Sequence, residues 1–147
     1  MTRLRQAVRI SASVSGPLGK GVSPRLSAVS QREFSVDLDL AKCHRLFYEE
    51  SFEGLDAMEN GLLSMPVGMI HADDLHSVFR AAHSIKGGSG TFGIPGVANF
   101  IHAMESILDV LRSGRRQMTD EMRAVLLQSV DVLREMLIAA RDAEQLD

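Results

Sequence analysis

From residue 37 onward, apolar side chains return every three or four positions. Leu40, Cys43, Phe47, Leu55, Met58, Leu62 and Met65 form one such stripe, with Ser51 as its polar gap and Leu46 and Phe52 widening it. That period predicts an amphipathic helix over roughly 38–64. Pro66, Gly68 and the Asp73-Asp74 pair interrupt it, and acids at 73 and 74 suit the N-terminus of a second helix. This helix carries Leu75, Val78, Phe79, Ala82 and Ile85, then runs into Gly87, Gly88, Gly90 and Gly93. Pro95 suits the first turn of a third helix. Its stripe is Val97, Phe100, Ile101, Met104, Ile107, Leu108 and Leu111, and Gly114 is placed as a left-handed C-cap. Thr119 suits the N-cap of a fourth helix, with Met122, Val125, Leu126, Val130, Leu133, Met136 and Leu137 on one side. No part of this body alternates with period two, and no repeat is visible. The pattern predicts an all-α, antiparallel up-down four-helix bundle over 37–141.

Residues 1–33 are different. Ser, Arg and Gly dominate, Pro17 and Pro24 intervene, and no apolar period survives, so the stretch reads as a disordered basic leader. It superficially matches an organelle transit peptide, and a translation start nearer residue 34 is the other reading. Residues 1–32 hold six basic side chains and no acid, whereas 33–147 hold 10 basic and 19 acidic ones. The overall charge of −3 therefore conceals an acidic body, ill suited to nucleic acid, whose binding rests on phosphate neutralisation. With 147 residues, 45% hydrophobic, the chain has room for one buried core. A single cysteine, Cys43, excludes an internal disulfide and fits a reducing, cytoplasmic setting. Cys43 itself is expected to be a small buried apolar residue. The longest stretch without charge, 87–104, is broken by glycines and Pro95 and is no membrane span.

The unusual segment is 79–93, FRAAHSIKGGSGTFG. At about 100° per residue, His83 lies roughly 80° from Leu75, on the shoulder of the apolar stripe. Lys86 is close to one turn further on, and Gly87 and Gly90 project to the same side as His83. Glycine inside a helix costs about 1 kcal/mol relative to alanine, so these glycines need a reason. They strip side chains from the surface beside an imidazole, which suits close approach by another macromolecule. On the third helix, His102 and Glu105 share a flank one turn apart. A carboxylate there can accept a hydrogen bond from His83 Nδ1–H, fixing the tautomer and leaving Nε2 as the nucleophile.

The run AAHSIKGGSGTFG resembles the phosphorylation-site helix of histidine phosphotransfer (HPt) domains, and most closely the N-terminal P1 domains of CheA-type chemotaxis histidine kinases. FIHAMESILDVL in the third helix and FYEESFEGLDAMENGLL in the first extend the resemblance over about 37–141. The resemblance implies that His83 is the phosphorylated residue, that Glu105 orients its imidazole, and that Lys86 lies near the phosphoryl group. His102 matches a second histidine of the site. Gly87 and Gly88 match small residues that admit a partner. The implied donor is a histidine-kinase ATP-binding domain, in cis or in trans, which uses ATP and Mg²⁺. The implied acceptor is an aspartate of a CheY- or CheB-like response regulator. No cofactor is implied for the domain itself. The chain shows no paired glycine boxes of a kinase ATP site, so it is expected to be a kinase fragment or stand-alone phosphocarrier that does not phosphorylate itself.

The same residues admit plainer readings. A histidine on a helix flank is ordinarily a boundary residue, and a lone flanking glutamate is ordinarily solvated. His44, His71 and His76 show no partner pattern and read as surface residues. Residues 88–93 match G-x-G-x-x-G, but a helix rather than a strand precedes them, and Lys86 precedes the glycines where a P-loop needs it after them. A metal-binding bundle enzyme would need Glu-x-x-His on two helices, whereas only the reversed His102-x-x-Glu105 occurs. The remaining alternative is a non-catalytic four-helix adaptor.

Overall fold

The computed structural model describes residues 24–69 and 72–146. Among them are four helices and no strand: α1 (Pro24–Ser64), α2 (Ala72–Thr91), α3 (Pro95–Arg112) and α4 (Asp120–Leu146). The chain divides into two units, Met1–Asp37 and Leu38–Asp147. In the first unit, the described residues belong to the opening of α1. Residues 24–33, read from the sequence as leader, are helical, so α1 begins well before the predicted position near 38. Pro24, with its fixed φ and missing N–H, suits a first helical position, and no further proline follows until Pro66. Residues 1–23 lie outside the described residues.

In the second unit the four helices are antiparallel, as the pairings show. Gly54 faces Ile85, Gly61 faces Val78 and Phe47 faces Gly88, so α1 and α2 run in opposite directions. His83 meets Glu105 while Phe79 meets Arg112, which reverses α3 against α2. Gly96 lies at Met136 on α4, and Arg134 of α4 bonds Asp56 and Glu59 of α1 while Arg123 donates to the Met65 carbonyl. The core contains Leu55, Met58, Leu62 and Met65 of α1, Leu75, Val78, Ala82 and Ile85 of α2, and Val97, Ile101, Met104, Leu108 and Leu111 of α3. Leu126, Val130, Leu133 and Leu137 of α4 complete the layer. Truncating any one of the fully buried leucines to alanine is worth about 2–5 kcal/mol.

The joints follow their local chemistry. Asp73 and Asp74 occupy the first turn of α2, Pro95 opens α3, and the Met122 N–H donates to Thr119 Oγ1 at 3.1 Å. Gly114 takes φ +72° just after α3. The stripes hold with four exceptions. Leu40, Cys43 and Leu46 are exposed rather than buried, with Cys43 and Leu46 at the open rim of the groove where α1 faces Ala81, Ser84 and Gly88 of α2. Val125 is exposed at the open rim between α3 and α4, while Leu126 beside it takes the core position. No helix among the described residues is long and apolar enough to cross a membrane.

Candidate functional site

α2 presents His83 outward. Its side chain is 66% exposed, more open than a shoulder position requires. The Nδ1 atom lies 3.0 Å from Glu105 Oε1 on α3. Lys86, half-buried one turn along α2, donates from Nζ to Glu105 Oε2. One carboxylate thus holds both α2 side chains. His102 is the outlier: its Nδ1 stands 4.0 Å from Glu105 Oε2, and its side chain is 77% exposed. It adds positive potential beside the carboxylate when protonated, without a hydrogen bond.

Glu105 departs from a solvated helix-face acid, because it is only 7% exposed. Burial by itself raises its pKa. The hydrogen bonds from Lys86 and His83, together with their charges, outweigh burial and hold the carboxyl below its ordinary value. An ionised carboxylate can only accept hydrogen bonds, so the proton between it and His83 belongs on Nδ1. The Nε2 lone pair is then left free. The chemistry requires this tautomer.

The glycines divide. Around Gly87 and Gly90 nothing lies where a Cβ would point, so the surface near His83 is bare. Gly88 has another task. A Cβ there would stand 2.5 and 2.6 Å from ring carbons of Phe47. Gly88 is therefore a close-packing position between α1 and α2, whereas Gly87 beside it borders open space. The end of α2 is set by Gly93 at φ +72°, across which the Ile94 N–H donates to the Ser89 carbonyl at 2.8 Å. That is the six-to-one bond of a Schellman ending, and it fixes where the glycine-rich end of α2 stops.

Two neighbours of His83 were not singled out as site residues. Phe79, read as a member of the stripe, lies one turn before His83 with its ring nearly parallel to the imidazole, at 12° and 6.2 Å between centroids. The Arg112 guanidinium lies over the Phe79 ring at 4.2 Å. The four-residue spacing of Phe79 and His83 was legible; Arg112 gave no sequence signal. His44 also differs from expectation. It is half-buried, its Nδ1 lies 3.1 Å from Glu144, and Tyr48 donates to the same carboxylate at 2.9 Å. His76 is exposed, and His71 lies outside the described residues. Among the described residues, no group of three or more His, Cys, Asp or Glu side chains is arranged to hold a metal.

Helices α2 and α3 thus bring together an exposed histidine tied at Nδ1 to a buried glutamate, a lysine on the same carboxylate and a bare glycine surface. Residues 43–143 match the family model described as Hpt domain, and the chain belongs to that family. It is 38% identical over 110 residues to the chemotaxis protein CheA of Rhizobium meliloti, covering 75% of this chain and 14% of that one. Against CheA of Salmonella typhimurium it is 36% identical over 112 residues, 76% of this chain and 17% of that one. The chain thus spans less than a fifth of these relatives' length. Among solved structures, it is similar to the phosphorylated P1 domain of CheA3 in complex with CheY6 from R. sphaeroides. The TM-score there is 0.65 and the identity 30%, covering 70% of this chain and 80% of that one. The CheA phosphotransferase domain from Thermotoga maritima gives 0.61 and 27%, covering 66% and 92%.

Proposed function

We propose that His83 is a phosphoacceptor that takes a phosphoryl group from ATP held by a histidine-kinase domain and passes it to an aspartate of a response regulator. The Glu105 contact carries this reading: it engages Nδ1 and leaves the opposite ring nitrogen facing solvent. In the first step, the Nε2 lone pair attacks the γ-phosphorus, the N–P bond forms, and the P–O bond to the departing ADP breaks. The Nδ1 proton stays on its nitrogen, stabilised by Glu105 as positive charge develops on the ring. In the second step, a regulator carboxylate oxygen forms an O–P bond as the N–P bond breaks, returning the neutral imidazole. Little covalent work falls to the domain, whose contribution is positioning and electrostatics. Lys86 supplies a point charge near the incoming phosphoryl group, and Gly87 and Gly90 leave room for the partner.

ATP and Mg²⁺ belong to the partner domains in this scheme, and the setting is the cytoplasm. The similarity to a phosphorylated P1 domain in complex with CheY6 supports a receiver domain as acceptor. The test is labelling with γ-labelled ATP and a CheA-type ATP-binding domain supplied in trans. Wild-type protein gains an acid-labile, base-stable label. His83→Gln loses it while its circular dichroism is unchanged. Label retained in His83→Gln, or absent from the wild type, rejects the assignment.

A further inference from the structure

We infer that Phe79 is a positioning residue for phosphoryl transfer at His83, setting the plane of the imidazole, and that Arg112 holds Phe79 in place. The inference rests on His83 being the phosphoacceptor. The imidazole turns about its Cβ–Cγ bond, and the single hydrogen bond at Nδ1 restrains that turn only softly, because a hydrogen bond tolerates a range of angles. His83 is exposed, so packing restrains it little. Phe79 adds the missing restraint. It lies four residues earlier on the same helix face, nearly parallel to the imidazole at 12°. The 6.2 Å centroid separation falls within the offset aromatic range.

Phe79 is itself held from two sides. Its side chain packs against the core, and the Arg112 guanidinium sits 4.2 Å from its ring centre, a cation–π contact. Arg112 is anchored in turn, with Nη2 donating to Asp109 Oδ1 at 2.9 Å. A chain of supports runs from Asp109 through Arg112 and Phe79 to His83. α3 therefore acts on the imidazole twice: Glu105 holds its edge, and Arg112, through Phe79, steadies its plane.

The chemistry depends on that plane. The nucleophilic lone pair of Nε2 lies in the plane of the imidazole, and in-line displacement needs it aligned with the breaking P–O bond. A ring that rocks spends less time aligned, which lowers the rate of the chemical step without weakening donor binding.

The experiment uses the full chain with a CheA-type ATP-binding domain and γ-labelled ATP. Phe79→Leu keeps apolar bulk but removes the flat ring. We expect kcat for His83 labelling to fall about two- to tenfold, the worth of one aromatic pair, with KM for the donor domain unchanged. Phe79→Tyr keeps the ring and restores the wild-type rate. In the proton NMR spectrum, the His83 ring resonances carry a ring-current shift that is lost in Phe79→Leu and kept in Phe79→Tyr, with Nδ1 still protonated. Should Phe79→Leu not fold, Arg112→Gln, altered at an exposed side chain, carries the test through a partial loss of both rate and shift. A folded Phe79→Leu labelled at the wild-type rate, or His83 ring resonances unmoved by it, overturns the inference alone. No label on any chain, wild type included, overturns the phosphotransfer reading and the inference with it.

Discussion

Gly88→Ala and Gly87→Ala separate close packing from open surface at adjacent glycines of α2. The new methyl of Gly88→Ala would stand 2.5 and 2.6 Å from ring carbons of Phe47, where ordinary contact is about 3.5–4.0 Å. Phe47 must therefore retreat by roughly 1 Å. It is buried and flanked by Tyr48 at 5.1 Å and Phe92 at 5.0 Å between centroids, so its retreat disturbs a packed aromatic group. Overpacking of this kind costs about 1–3 kcal/mol. Alanine returns up to about 1 kcal/mol through helix propensity. The net expectation is a loss of about 0–2 kcal/mol, seen as a melting temperature lowered by up to several degrees. Gly87→Ala meets nothing within 4 Å and takes the propensity gain without the clash. It is expected to be more stable than wild type by up to about 1 kcal/mol, and, on the proposed function, to slow phosphoryl transfer at His83. Thermal unfolding followed by circular dichroism, paired with His83 labelling rates, reads both effects. In the double variant Phe47→Leu/Gly88→Ala, the smaller side chain should recover stability, a coupling of at least about 0.5 kcal/mol. Gly88→Ala melting at or above Gly87→Ala would refute the packing argument.

Two further outcomes are expected. The Glu105 carboxyl is held below its ordinary 4.5, so its contribution to folding is fully present above that value and is lost as pH falls through the depressed one. A carbon NMR titration of Glu105 should place its midpoint below 4.5, and Lys86→Met should raise it, because burial then has less opposition; an unmoved midpoint contradicts the account. Thr119→Ala removes the acceptor of the Met122 N–H and should cost about 1 kcal/mol in urea unfolding, whereas an unchanged midpoint would leave the cap without energetic weight.

Much of this bundle was legible from periodicity and punctuation. The body's stripes, Pro95, Gly114 and Thr119 each act through local geometry that a chain carries with it. The early start of α1 was less legible, because residues 24–33 lack a sustained apolar period and only their helical backbone declares them. Cys43 and Leu40 misled for a different reason. Their spacing extends the stripe, but spacing does not say how deep in the bundle each turn lies, and Cys43 sits at the open rim of the groove between α1 and α2.

What the amino-acid sequence by itself determined is angular. A residue's position around its own helix axis follows from 3.6 residues per turn, so His83, Lys86 and Gly87 were bound to share a side of α2, and Glu105 and His102 a flank of α3. Only the tertiary structure decided how far each helix slides along its neighbour. That axial register brings Glu105 rather than His102 onto Nδ1, buries its carboxylate, points Gly88 at Phe47, and sets Arg112 over Phe79. The physical reason is that register is chosen by the packing of all four helices at once, a sum over distant residues that no single stripe contains.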